Sequence, residues 1–365
     1  MTPRERIVSV LNGRMPDKVP FTIKRPQPSM GVVERQLRND GLAICTDRMV
    51  FSTHRHNVDI LKHEYFENGK FFMSETFRTP VGEVRQLWLR DSGGYGSDKI
   101  TEYLIKTPED YEVVEFIFKD EVYTPAYEYF TREEEILGDD GFIFAGWMPP
   151  TPMMQMMWEL MGIERFAIDQ LDMPDKFFHL YDVLLECQCR QYEIIADSPA
   201  LVAHIEENMT SDMIGLERFE RYVVPCYDKF ASILHKKNKL LAAHFDGRMK
   251  ILAPALAKSD IDIIEALCPV PDGDMEMAEA REIWKGKIIW INFPSPVHLF
   301  SPDKIAAHVR KILREVAPGD KFLFGITEDI PDKIWEISLP IISKVLKDEG
   351  LLPLLRTTLS GHITT

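Results

Sequence analysis

Several apolar segments of this chain end in polar side chains that could bind a metal ion. These side chains are Glu207, Asn208, His244, Asp246, Asn292 and Glu328. An imidazole together with carboxylates is a donor set that divalent metals accept, zinc among them. Each residue alone has an ordinary explanation, as a hydrogen-bonded residue at a strand end or a neighbour of a helix N-cap. Their recurrence favours a metal site, because burying an unpaired polar group costs about 2 to 7 kcal/mol.

The segments that carry these residues alternate with helical patterns. The predicted strands are VPFTIK (19–24), FIFAG (142–146), LVAHIE (201–206), KLLAAHF (239–245), IDIIEAL (261–267), KIIWINF (287–293) and KFLFG (321–325). Nearly continuous apolar strands separated by helices are typical of a parallel sheet that is covered on both faces. With one further strand unrecognised, the count reaches eight and favours an α/β fold of the (β/α)8 TIM barrel type. The polar residues would then meet at the carboxyl ends of the strands, where such barrels hold their active sites.

We expect a single barrel domain over residues 1–365, with an N-terminal helical part and a β-hairpin insertion at about residues 50–100. FFMSETFRTP and GEVRQLWLR have a period of two on either side of Pro80-Val81-Gly82, which predicts antiparallel hairpin strands. Thr2, Pro3 and Glu5 predict the start of a first helix.

Composition limits the classes of partner. The chain has 58 Asp and Glu against 43 Lys and Arg, a formal charge of −15, so it has no basic surface for nucleic acid. The N-terminal MTPRERIVSVLNGR has no apolar core of a signal peptide, and no apolar run approaches the roughly 18 residues that span a membrane. We therefore expect a cytoplasmic protein. No G-x-G-x-x-G or G-x-x-x-x-G-K motif supports nucleotide binding.

Other residues that could bind metal have simpler interpretations. Cys187 and Cys189 form C-x-C within an apolar helical stretch and are best explained as helix residues on different faces. His204 lies inside a predicted strand, which indicates a buried, hydrogen-bonded histidine. The H-x-H pair of His54 and His56 has no supporting ligand nearby and is typical of a solvated loop.

A stretch rich in methionine and tryptophan follows FIFAG. It includes Trp147 and Met154. Such residues at helical spacing usually form core, but their place after a strand end also fits an adaptable wall for a flat apolar ligand. We keep both interpretations, with Trp147, Met154, Asn208 and Asn292 as candidate substrate contacts.

The opening MTPRERIVSVLNGRMPDKVPF, the central HFDG (244–247) and the closing GITEDIP (325–331) resemble the uroporphyrinogen decarboxylase superfamily. This superfamily includes the decarboxylase itself and zinc-dependent corrinoid methyltransferases, and the resemblance implies the same barrel fold. The decarboxylase branch has an arginine-rich segment after its first strand that grips propionate carboxylates. Here that place reads TIKRPQPSMG, with Lys24 and Arg25, so the methyltransferase branch is the closer match.

In the methyltransferase branch, an H-x-C motif and a later C-G-I-P supply a histidine and two cysteines to zinc. Aligning the motifs places His244 on the histidine, Asp246 on the first cysteine and Glu328 on the second. Thiolates suit members that activate a thiol acceptor, whereas carboxylates make a harder site suited to an oxygen or nitrogen leaving group.

The resemblance therefore implies a zinc-dependent methyltransferase that moves a methyl group from an O-methyl donor, best a methoxyaromatic, to the Co(I) corrinoid (cobalamin) of a partner protein. Zn²⁺ would be held by His244 and Glu328, with Glu207 and Asp246 completing the shell, and Glu207, His244 and Glu328 would be the catalytic residues. The expected partners are a corrinoid protein and a small-molecule methyl donor, and a homodimer is left open. The alternatives are a decarboxylase, a corrinoid-to-thiol methyltransferase and a non-catalytic binding protein.

Overall fold

The structure is a computed structural model that describes residues 1–24, 30–91, 98–328, 330–331 and 333–355. Arg25, noted above in the segment after the first strand, lies outside these residues. The strands are β1 Phe21–Lys24, β2 Leu42–Arg48, β3 Phe51–Arg55, β4 Asp59–Glu67, β5 Lys70–Thr79, β6 Gly82–Leu89, β7 Lys99–Glu102, β8 Glu121–Pro125, β9 Gly141–Met148, β10 Val202–Ile205, β11 Leu240–His244, β12 Ile263–Leu267, β13 Ile288–Asn292 and β14 Phe322–Ile326.

Helices connect most of these strands. They are α1 Pro3–Leu11, α2 Val32–Asn39, α3 Asp110–Lys119, α4 Glu128–Leu137, α5 Pro152–Gln155, α6 Gly162–Asp172, α7 Pro174–Asp197, α8 Ser211–Ile214, α9 Leu216–Arg218, α10 Val224–His235, α11 Ala253–Lys258, α12 Met277–Ile283, α13 Pro302–Val316 and α14 Trp335–Glu349. Short π-helical turns lie at Met156–Leu160 and Phe219–Val223.

Eight parallel strands close into a barrel in the order β1-β14-β13-β12-β11-β10-β9-β2. The predicted fold class, a (β/α)8 barrel with N-terminal antiparallel insertions, is confirmed. All seven strands predicted from the sequence belong to the barrel, and the unrecognised eighth is β2. Its sequence, LAICTDR, ends in three polar residues and so lacks the continuous apolar character of the others.

Alternate residues of the barrel strands form the core. Phe142, Val202, Ala242, Ile263 and Trp290 belong to one buried cluster, and successive strand residues point to opposite faces. Helix α1 adds its own apolar side chains to this cluster. It begins where predicted, because Thr2 and Glu5 form a capping box in which the Thr2 hydroxyl accepts a bond from Glu5 N at 3.1 Å.

The chain divides into two compact units. The first comprises Met1–Met49, Tyr127–Met148 and Pro199–Thr365, and it contains the whole barrel. The second comprises Val50–Ala126 and Pro149–Ser198. Within the second unit, β4 to β7 form a four-stranded antiparallel sheet, and β3 pairs with β8.

The predicted hairpin in the insertion is confirmed. Strands β5 and β6 pair with Thr79 opposite Gly82, around the turn at Pro80-Val81. Strands β4 and β5 form a second hairpin through Asn68-Gly69, where both residues have positive φ of 50° and 76°. Asn-Gly favours this two-residue turn because its backbone twist matches that of the strands.

Within the part of the chain that the structure describes, no helix is both long and apolar enough to cross a membrane.

Candidate metal centre

A layer of polar side chains lies at the carboxyl ends of the barrel strands. Each of these residues follows a core residue by two positions, so the alternation of a strand places it on the same inward face. The pairs are Cys45 and Asp47, Val202 and His204, Ala242 and His244, Ile263 and Glu265, and Trp290 and Asn292. The barrel interior therefore changes from apolar to polar toward the rim where catalytic sites of this architecture lie.

His244, Asp246 and Glu328 form a group that could hold a metal ion. Their ligand atoms all lie within 4.8 Å of one another, and His244 Nε2 is 3.5 Å from Asp246 Oδ1. His244 ends β11, and Glu328 lies two residues beyond the end of β14. The sequence motifs predict these three residues as ligands of one metal ion, and in the structure their side chains lie together.

Glu265 orients the imidazole of His244 from the side opposite the possible metal position. His244 Nδ1 lies 2.7 Å from Glu265 Oε2, and both side chains are buried. A carboxylate that accepts the Nδ1 proton of a histidine fixes the ring orientation and directs Nε2 toward a metal. The arrangement therefore suits a centre with His244 Nε2, Asp246 and Glu328 as ligands.

The same Glu265 oxygen also accepts a bond from His204, which extends the polar layer. His204 Nε2 is 3.0 Å from Glu265 Oε2, and His204 Nδ1 is 2.8 Å from Asp47 Oδ1. His204 is fully buried. The prediction of a buried, hydrogen-bonded histidine is confirmed, although its neighbours make it part of the candidate site.

Lys24 closes the far side of this network. Its Nζ lies 3.1 Å from Asp47 Oδ2 and 3.0 Å from Glu206 Oε1. The ligand atoms of Asp47, His204 and Glu206 are close enough to hold a metal, as are those of His204, His244 and Glu265. In the first of these two groups the Lys24 ammonium already supplies a cation between the two carboxylates.

The charges of this network stabilise one another. Burial alone lowers the pKa of a histidine, but Asp47 and Glu265 outweigh both burial and the Lys24 charge and raise the pKa of His204 to about 9. Burial likewise opposes the charge of His244, yet Glu265 and Asp246 hold its pKa well above the usual value. Burial favours a neutral Glu265, and the two histidines nevertheless hold its pKa well below the usual value. Lys24 is kept charged in the same way, since Glu265, Asp47 and Glu206 raise its pKa against burial.

Backbone irregularities aim these side chains. Strand β12 has a register shift between Glu265 and Leu267, and Ala266 between them has φ of 58°. A bulge of this kind redirects a side chain next to a functional site. Gly146 is required for a different reason, because a Cβ there would lie 2.0 Å from Asp47 Oδ1.

The other predicted polar contacts have defined positions. Glu207 is fully buried and belongs to none of the three possible metal groups found among the described residues, so its role as a ligand stays a prediction. Asn208 is exposed, has φ of 44°, and its backbone N–H donates to His244 O at 3.0 Å. Asn292 is fully buried and accepts a bond from Thr327 N at 2.9 Å. It therefore supports the loop that carries Glu328, and its contact with substrate stays a prediction.

The two apolar candidates differ in exposure. Trp147, at the end of β9, is 60% exposed, has φ of 60° and donates from Nε1 to Asp47 O at 3.2 Å. A large aromatic side chain held exposed on a left-handed backbone is an uncommon arrangement that favours a binding role. Met154, in α5 of the second unit, is fully buried, which is the position expected of a core residue.

The cysteine pair agrees with its simpler interpretation. Cys187 is buried and donates to Phe118 O at 3.3 Å, and no cysteine joins a possible metal group among the described residues. His54 is exposed as predicted, but it lies on strand β3, so the loop prediction is wrong for this residue.

Sequence reasoning missed three members of the network. In the sequence, Glu265 is one polar residue of the apolar segment IDIIEAL, Asp47 lies on the unrecognised strand β2, and Lys24 belongs to the segment that replaces the propionate-binding arginines. Glu265 carried a usable signal, since a carboxylate inside a fully buried strand must have cationic or hydrogen-bonding partners.

A family model described as uroporphyrinogen decarboxylase (URO-D) matches residues 95–334. The chain belongs to the uroporphyrinogen decarboxylase family. The match covers barrel strands β9 to β14 and hence His204, His244, Glu265 and Glu328. No curated protein matches the sequence.

A methyltransferase from Methanosarcina mazei has a similar structure. The two chains are 14% identical, with a TM-score of 0.56 over 96% of this chain and 99% of the other. At 14% identity, this similarity shows only that the two proteins share a fold.

Proposed function

We propose that this protein is a zinc-dependent methyltransferase that moves a methyl group from a methoxyaromatic donor to the Co(I) corrinoid of a partner protein. The observation that carries the proposal is the group of His244, Asp246 and Glu328 at the barrel rim, with Glu265 behind His244. The family and the fold are consistent with it, since the similar structure from Methanosarcina mazei is a methyltransferase.

The donor set fits a metal that acts on oxygen. One imidazole nitrogen and two carboxylates are harder ligands than thiolates, and three protein ligands leave a coordination position open for substrate. When bound, Zn²⁺ would serve as a Lewis acid on the donor oxygen, while the corrinoid of the partner would take the methyl group. Asp246 and Glu328 would bring the negative charge that holds the cation.

The chain's own residues do the positioning. Glu265 holds His244 in the tautomer that presents Nε2, and Asn292 anchors Thr327 next to Glu328. Thr327 Oγ1 is buried and has no hydrogen-bond partner among the described residues, which is the state of a group that a ligand satisfies. Trp147 offers an exposed ring on which an aromatic donor could stack.

A decarboxylase is the second candidate, because the matching family model carries that name. Against it, the one basic side chain that the structure describes on β1, Lys24, is already paired with Asp47 and Glu206. Thiol methylation is less consistent with the site, since Asp246 and Glu328 stand where thiol-activating members place cysteine ligands, and no cysteine joins a possible metal group among the described residues.

The test is metal content together with methyl transfer. The purified protein should contain about one Zn²⁺ per chain, and with Co(I) cobalamin and methoxyaromatics it should form methylcobalamin, followed by its absorbance. Methanol and methylamines complete the donor panel. His244→Ala and Glu328→Ala should remove both the metal and the activity.

His235→Ala is the matched control. His235 is an exposed histidine on α10 whose Nε2 lies 2.8 Å from Asp262 Oδ2, so its loss should leave metal and activity intact. Retention of both metal and activity in His244→Ala would refute the site. Absence of methylcobalamin with every donor would refute methyl transfer, and a metal-free protein that decarboxylates an acidic substrate would establish the second candidate.

A further inference from the structure

Strand β4 forms an open edge in the second unit. It lies at one end of the sheet order β4-β5-β6-β7, and it pairs on its other side with no strand in the described part of the chain. Every residue of the nine in Asp59–Glu67 is exposed except Tyr65, which is half-buried. A long edge strand with apolar side chains is a template for pairing with another strand, and natural proteins usually shorten or distort such edges.

The apolar content of this edge is high. Ile60, Leu61 and Phe66 on β4 and Phe71 on β5 are all exposed, and Phe66 is 73% exposed. The strand contains no proline, and its ladder with β5 runs from Asp59 opposite Arg78 to Glu67 opposite Lys70 without a bulge. Its edge is therefore regular over the whole length.

The sequence of β4, DILKHEYFE, is self-complementary about His63. Consider two copies of β4 paired antiparallel, with His63 of one opposite His63 of the other. Lys62 of each copy then lies opposite Glu64 of the second copy. In the same way, Ile60 lies opposite Phe66 and Leu61 lies opposite Tyr65, and each of these pairs occurs twice because of the two-fold symmetry. Directly opposed residues share a face of the sheet, so opposite charges and apolar pairs in these positions stabilise the pairing.

Other antiparallel registers lose this match. A shift that centres the pair on Lys62 opposes two lysines and sets Ile60 against Glu64. A shift that centres it on Glu64 opposes two glutamates and sets Lys62 against Phe66. Only the register centred on His63 satisfies both charge and apolar pairing.

We propose that β4 is a homodimer interface, in which β4 of a second copy of this chain pairs antiparallel with it and joins two four-stranded sheets into one. Lys62 Nζ lies 2.5 Å from Glu75 Oε1 on the neighbouring strand and is 62% exposed. Its ammonium has three donors, so it can bond both Glu75 and Glu64 of the second copy. The one unfavourable pair is Asp59 opposite Glu67 at the two ends, where water screens it.

The experiment is sedimentation equilibrium of the full chain over a range of concentrations. The wild type should dimerise. In Glu64→Lys, a lysine at position 62 lies opposite a lysine at position 64 in both symmetric pairs. In Lys62→Glu, both pairs consist of two glutamates. Each variant should therefore weaken the dimer about tenfold or more. An equimolar mixture of the two variants restores opposite charges in both pairs and should form the heterodimer.

Two further variants complete the design. Glu135→Lys makes the same change of charge at an exposed position on α4 and should leave the dimer unchanged. Glu67→Gln removes the repulsion with Asp59 and should tighten the dimer, which keeps the test decisive if Lys62→Glu fails to fold. Circular dichroism checks the fold of each variant.

Three results would overturn the proposal. A wild type that stays monomeric at every concentration would show that another occupant, or none, covers the edge. A dimer insensitive to Glu64→Lys would place the interface elsewhere. A mixture of the two charge variants that stays as weak as either alone would show that Lys62 and Glu64 do not face each other.

Discussion

The charge of His204 gives the sharpest test of the buried network, because it ties stability to pH. The pKa of His204 is about 9 in the folded protein against 6.5 ordinarily. That rise corresponds to about 3 kcal/mol of stability, since each pKa unit is worth about 1.4 kcal/mol. A group whose folded pKa is raised stabilises fully below its unfolded pKa. The contribution is lost as pH rises through the folded value, so the window here is pH 6.5 to 9.

The perturbation is His204→Gln, measured in metal-free protein. Urea unfolding at pH 6, 7, 8 and 9 gives the free energy of unfolding of each form. At pH 6 the variant should be less stable by about 3 to 5 kcal/mol, because the Asp47 and Glu265 carboxylates lose the cation between them. As the pH rises to 9 the wild type should lose about 3 kcal/mol through His204 and approach the variant.

The matched control is His235→Gln, which changes an exposed histidine. Its stability should follow the wild type across the whole pH range. A gap between wild type and His204→Gln that is the same at pH 6 and pH 9 would refute the reasoning, because His204 would then carry no charge in the folded protein.

Three other outcomes follow from the site. Glu265→Gln should weaken zinc binding about 10- to 100-fold in a chelator competition, since the amide is a poorer acceptor for the imidazole that faces it; unchanged affinity would exclude the supporting role. Asn292→Ala should lower the free energy of unfolding by about 1 to 3 kcal/mol in urea, because Thr327 N loses its acceptor, and a change within error would contradict this. Gly146→Ala should destabilise by about 3 kcal/mol in the same assay, since the new methyl group would collide with Asp47; wild-type stability would show that the contact relaxes at no cost.

The barrel could be predicted from the sequence because each of its strands is marked by the apolar character of its own residues. Continuous apolar runs such as KIIWINF and LVAHIE identify strands buried on both faces without knowledge of their neighbours. Strand β2 was not recognised because Thr46, Asp47 and Arg48 interrupt its apolar run. One of these polar residues, Asp47, is a member of the buried network.

The sequence also determined which residues end the strands, and so it brought His244, Asp246 and Glu328 to one rim. It did not determine the supporting shell. His204 and Asp47 are 157 residues apart in the chain, and their bond exists only because barrel closure makes the inward faces of distant strands converge. A buried charge is stable only when it has such partners, and no local sequence pattern identifies them. Only the tertiary structure therefore shows that Glu265 and His204 hydrogen-bond to one another and that Glu265 orients His244.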